Sequence, residues 1–187
     1  DVSLEKPETI TKYGDNPQGR QMLIARRLLE RDVRFVQVWQ GGWDLHSGIA
    51  QRAQRNADQL DPAIGAIIDD LKDRGLFEDT LIYITSEFGR SVTEDGGGGR
   101  SHNARALSTV LLGGGIKGGI AYGETDELGG AAVKDKAHVK DIHATVLDLL
   151  GFDHEQLTFN TAGRDFRLTQ ATNSLPQGGT PIKGIMS

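Results

Sequence analysis

The sequence contains no cysteine. Disulfides, thiolate metal sites and cysteine nucleophiles are therefore excluded together, and any metal must be held by oxygen and imidazole nitrogen. Also missing is any run near the ~18 consecutive apolar residues that a membrane-spanning helix needs. The first residues, DVSLEKPETI, hold no basic region followed by an apolar one, so no signal peptide is expected. There is no initiator Met, and the sequence reads as a piece cut from a longer polypeptide. No basic stripe is interleaved with aromatics, and 21 basic against 26 acidic residues leave a net charge of -5, which argues against a nucleic-acid partner. The phosphate-loop pattern G-x-x-x-x-G-K-[ST] is absent, so DGGGGR reads as a flexible loop. Without G-x-S-x-G a serine hydrolase is not expected.

What is present describes a soluble globular chain. Of its 187 residues 37% are hydrophobic and 25% charged, and the mean hydropathy is -0.39; this length suits one domain. The 25 glycines cluster in GGWDLHSG, DGGGGR and LGGGIKGG and mark loops rather than a repeat. NPQGRQMLIARRLLERD has the spacing of an amphipathic helix opened by Pro17, and VRFVQVW, residues 33–39, reads as a strand. LDPAIGAIIDDLKDRG predicts a second helix with Pro62 in its first turn, Asp61 as its N-cap and Gly75 at its end. LIYI, residues 81–84, is a nearly continuous apolar run, as in a strand buried on both faces. ALSTVLLGG supplies a third strand and KDIHATVLDLLGF a helix closed by Gly151. Strand, helix, strand in that order predicts a mostly parallel α/β sheet over residues 1–169, followed by an irregular tail, 170–187.

In such sheets sites form beyond the carboxyl ends of the strands. Asp44 and His46 follow the first expected strand, Glu87 follows the second, and His102 falls in the loop before the third. Four oxygen or nitrogen donors could thus meet at one edge. Each also has an ordinary reading: Asp44-x-His46 as a hydrogen-bonded loop pair, and Glu87 as the salt-bridge partner of Arg90 or Arg100. His138, His143 and His154 read as structural or exposed.

The order VQVWQGGWDLH, DTLIYITSEFGR, GRSHN resembles the C-terminal half of the alkaline phosphatase superfamily. Together with LGGGIKGG, YGETDELG, DIHATVLDLLGFDHEQLT and GRDFRLT, it is most similar to the sulfatase-like domain of unknown function 1501, from about Pro17 to Thr169. The resemblance implies a metal-dependent hydrolase of phosphate or sulfate esters. Asp44, His46 and His102 would hold a divalent ion, Zn first with Mn or Ca as alternatives. Glu87 would be a fourth or bridging ligand, and Arg90 and Arg100 the substrate-binding groups. Phe88 stands where phosphatases place a second-metal histidine, so the second site is weakened or absent. The superfamily's nucleophile lies on an N-terminal half not found here, which makes that half of the same protein the expected partner, beside a small ester or glycan substrate. A periplasmic or exported location follows from the same resemblance. The alternative reading is a non-catalytic module, on a degenerate fold, that binds a glycan or a protein.

Overall fold

The computed structural model describes residues 2–172 and 176–187. In chain order its helices are α1 (Pro7–Tyr13), α2 (Pro17–Leu29), α3 (Ile49–Asp73) and α4 (Val139–Leu149), with a 3-10 turn at Lys183–Ile185. Its strands are β1 (Leu81–Ile84), β2 (Gly89–Asp95), β3 (Gly99–Asn103), β4 (Val110–Gly113), β5 (Glu124–Thr125), β6 (Ala132–Lys134), β7 (Phe159–Thr161) and β8 (Arg164–Phe166). Two compact units result, Asp1–Thr80 with Arg90–Asn103, and Leu81–Gly89 with Ala104–Ser187.

The first unit is built on α1, α2 and α3, which pack on one another. Helix α2 starts where the sequence predicts: Asn16 accepts hydrogen bonds from the Gln18 and Gly19 amides (2.9 and 3.0 Å), and Pro17 occupies the first turn. Gly19 lets α2 approach the end of α1, because a Cβ there would lie 2.4 Å from the Tyr13 carbonyl oxygen. Tyr13, Leu23 and Leu71 are fully buried, with Ala63, Ala66 and Ile67 around them. Burying a leucine-sized side chain stabilises the fold by about 1.5–3 kcal/mol, so these contacts define the core.

That core also encloses charge. Asp70 accepts from the Tyr13 hydroxyl (2.9 Å) and from Lys12 Nζ (3.0 Å), and Arg26 Nε lies 3.6 Å from it. Arg26 in turn pairs with Glu30 (2.7 Å) and Glu5 (3.0 Å), and Arg74 Nε reaches Glu30 at 2.5 Å. Burial pushes the Asp70 carboxyl up, but the Lys12 and Tyr13 hydrogen bonds outweigh it, and the group titrates below the ordinary aspartate value.

Two expectations for this unit are corrected. Helix α3 begins at Ile49, eleven residues before Leu60, because IAQRAQRNADQL consists largely of good helix formers even though it lacks an apolar stripe. Asp61 is therefore no N-cap and Pro62 lies inside the helix, where its missing N–H forfeits the bond to residue 58. Gly75, with φ +67°, does follow the helix end. Residues 33–39 join no ladder. The segment alternates as an extended chain does, Val36 and Val38 half-buried, Phe35 and Trp39 76% and 73% exposed, but it pairs with no strand among the described residues.

The second unit carries the correction that matters most. β1 and β4 pair antiparallel, Leu81 opposite Gly113 and Ile84 opposite Val110. Among the described residues the strands form four two-stranded sheets, so the expected parallel, helix-flanked, alkaline-phosphatase-like α/β sheet is absent. A parallel pair needs a crossover, usually a helix. The chain between β1 and β4 holds the β2–β3 pair instead. Helix α4 matches its expectation: His138 and Asp141 form a capping box, and Gly151 follows the C-terminus at φ +79°. Fully buried Thr145 donates to the Asp141 carbonyl (2.7 Å) and accepts from the Ile182 amide (2.8 Å), which fastens the last residues to α4.

Candidate metal centre

The centre lies within the first unit and is assembled by the backbone before any side chain is considered. Leu45 is buried and anchors the loop between Asp44 and His46. Its carbonyl accepts from the Arg100 amide (3.0 Å), while the Gly48 and Ile49 amides donate to the Gly97 and Gly98 carbonyls (2.9 and 3.0 Å). The hairpin of β2 and β3 is thus sewn along residues 45–49. The approach is close enough that a Cβ on Gly99 would lie 2.0 Å from the His46 carbonyl carbon. On the other side, Gln40 Nε2 donates to the Asn56 carbonyl (3.0 Å) and Asn56 Nδ2 to the Gly42 carbonyl (2.7 Å), which ties the GGW turn to α3.

These constraints bring Asp44, His46 and His102 together. The His102 Nε2 to Asp44 Oδ1 distance is 3.0 Å, His46 Nε2 to Asp44 Oδ1 is 3.1 Å, and the two Nε2 atoms are 3.1 Å apart. Metal bonds of about 2.0–2.1 Å place adjacent donors about 2.9 Å apart in an octahedron and about 3.3 Å apart in a tetrahedron. The three edges fall between those values, so one ion could touch all three atoms from above the triangle. Among the described residues this is the group of His, Asp and Glu side chains close enough to hold a metal, and all three members are exposed.

The surroundings are charged. Arg90 Nη1 donates to Asp44 Oδ1 at 2.6 Å. That bond, followed by the one from His102, holds the Asp44 carboxyl down at about 2. His46 Nδ1 lies 2.8 Å from Asp95 Oδ2, at the end of β2. The Asp95 contact is the main reason the imidazole titrates above its ordinary value, and the same contact lowers the Asp95 carboxyl. Of the other expected groups, Arg100 turns its guanidinium onto the Gly99 carbonyl (2.8 Å), and Glu87 is an exposed residue of the second unit. Nothing in the sequence marks Asp95. It lies 49 residues from His46 in a glycine-rich stretch, and no spacing rule joins the two.

A family profile described as "Protein of unknown function (DUF1501)" matches residues 1–177. The chain belongs to that family. No curated protein and no solved structure matches this DUF1501 chain. Among its described residues no helix is long and apolar enough to cross a membrane.

Proposed function

We propose that this DUF1501 chain binds a divalent metal through Asp44, His46 and His102 and uses it on phosphate or sulfate esters. The observation that carries the reading is the triangle of one carboxylate oxygen and two imidazole nitrogens with 3.0–3.1 Å edges. The motif order Asp-x-His and later His supports it as a resemblance only, since the sheet that usually accompanies that order is not present among the described residues. The donor set, without sulfur, suits Zn, with Mn or Ca as rivals.

A metal with three protein donors keeps positions open for water and an ester oxygen, and would supply Lewis acidity there. With its pKa held down at about 2, Asp44 carries no proton near neutral pH, so a metal would compete for its oxygen only with the Arg90 and His102 hydrogen bonds. Arg90, already on that oxygen, would place a second cationic group beside the ester's anionic oxygens. Arg100, whose Nη1 donates to the Gly99 carbonyl, is assigned no such part in this reading.

Calorimetric titration of zinc and manganese into the protein tests the reading. His46→Ala and His102→Ala should each weaken binding by more than the roughly 10–100-fold that outer-shell partners are worth. Unchanged affinity in both variants would end the proposal. A ligand must also be deprotonated. The His46 imidazole holds its proton to a higher pH than a free one, so zinc affinity should be full only in alkaline solution, once that proton has left. It should begin to fall on acidification above the usual histidine value of about 6.5. Turnover of 4-nitrophenyl phosphate and 4-nitrophenyl sulfate by the zinc-loaded chain then separates the two ester classes.

A further inference from the structure

We infer that Asp95 is a positioning residue of this centre: its carboxylate holds His46 in the tautomer that carries the proton on Nδ1 and turns the Nε2 lone pair toward Asp44 and His102. The inference deepens the metal-binding proposal and rests on it for its functional consequence. Its geometric part stands alone.

The two nitrogens of His46 face different partners. Nδ1 is 2.8 Å from Asp95 Oδ2, whereas Nε2 is 3.1 Å from both Asp44 Oδ1 and His102 Nε2. A neutral imidazole has one N–H, and an ionised carboxylate can only accept. Two placements of the proton are possible. Either way one bare ring nitrogen faces a carboxylate oxygen, Nδ1 against Asp95 Oδ2 at 2.8 Å with the proton on Nε2, or Nε2 against Asp44 Oδ1 at 3.1 Å with the proton on Nδ1, and the shorter contact is the one that requires the proton. Asp44 has no comparable need for that proton, because Arg90 at 2.6 Å and His102 at 3.0 Å already address its Oδ1. One sp2 oxygen has two lone pairs, so it is satisfied. The proton belongs on Nδ1, and Nε2 is left as an acceptor on the side where the other donors converge. A carboxylate behind a ligating histidine also raises the basicity of the ligating nitrogen.

The fold makes this arrangement economical. Asp95 closes β2 and His102 lies on β3, so a single hairpin carries one donor and the group that orients another. The Gly98 amide donates to Glu94 Oε1 at 2.8 Å and fixes the turn between the strands.

Long-range proton–nitrogen spectra of the whole 15N-labelled, metal-free chain at pH 8 read the tautomer directly, with His46→Gln identifying the His46 signals. The expected result is an Nδ1–H imidazole in the wild type and a shift toward Nε2–H in Asp95→Ala. Zinc titration should show Asp95→Ala about 10–100-fold weaker, with Asp95→Asn, which keeps an accepting oxygen, recovering most of the loss. An Nε2–H imidazole in the wild type overturns the inference. So does a tautomer unchanged in both Asp95 variants, whose backbone spectra report whether each is folded. If the tautomer follows Asp95 but the wild type takes up no zinc, the positioning role holds and the metal proposal fails.

Discussion

Asp70→Ala is expected to destabilise the first unit by about 3–5 kcal/mol, the range for removing one partner of a buried charge network. The Asp70 side chain is only 9% exposed, and it is the acceptor for the fully buried Tyr13 hydroxyl and a neighbour of the buried Arg26 guanidinium. Truncation leaves the phenol without its acceptor, at about 1–3 kcal/mol, and takes one counter-charge from the arginine. Asp70→Asn keeps an accepting oxygen and should lose roughly half as much. Lys12→Met, at the half-exposed rim of the network, should stay within about 1 kcal/mol of the wild type. Both tryptophans, Trp39 and Trp43, belong to the first unit, so urea unfolding followed by their fluorescence reports that unit selectively. An Asp70→Ala midpoint indistinguishable from the wild type would show that the network contributes no stability. The pH dependence has a definite sign. The folded-state pKa of Asp70 is lowered, so its contribution is complete above the unfolded-state value of about 3.9 and is lost as the pH falls through the lower folded value.

Gly99→Val should abolish metal binding while leaving the helices intact. Its Cβ would meet the His46 carbonyl carbon at 2.0 Å, the carbonyl oxygen at 2.1 Å and the Ser47 nitrogen at 2.4 Å, all of them backbone atoms with no rotamer to yield. The hairpin must then lift from residues 45–49, breaking the bonds made by the Arg100, Gly48 and Ile49 amides. His102 leaves with β3, and Asp44 and His46 stay on the loop. Overpacking of this kind costs about 1–3 kcal/mol, occasionally more. The signature is selective: helical circular dichroism retained, zinc affinity lost. Gly96→Ala is the control, because a Cβ at Gly96 meets nothing within 4 Å and its backbone is not left-handed. Equal zinc affinity in Gly99→Val and Gly96→Ala would show that the close approach does not govern the site.

What could be read from residue order was local. α2 declared itself through Pro17 and its apolar spacing, α4 through its apolar face and Gly151, and β1 through its apolar run. Where the reading failed, the deciding partner was remote. Residues 33–39 have the β-branched, aromatic composition of a strand, but a strand also requires a neighbour, and composition cannot report one. The same gap concealed that β1 pairs antiparallel with β4 rather than in parallel with residues 33–39. The amino-terminal half of α3 was hidden because its helix formers carry no apolar stripe. At the centre, Asp44, His46 and His102 could be nominated because residue type and motif order restrict the choice severely when cysteine is absent. Asp95 could not, since its meaning comes from a contact across 49 positions.

The span of the centre has a polymer-physics consequence. His46 and His102 are 56 residues apart in sequence. An ion bridging them would hold that long loop closed in the folded chain alone, and the entropy of closing a loop grows with the logarithm of its length. In a chain with no cystine available, binding would then double as cross-linking. By mass action, free zinc at 100 times its dissociation constant would add about 2.7 kcal/mol to the folded state, so that resistance to unfolding becomes a function of metal supply.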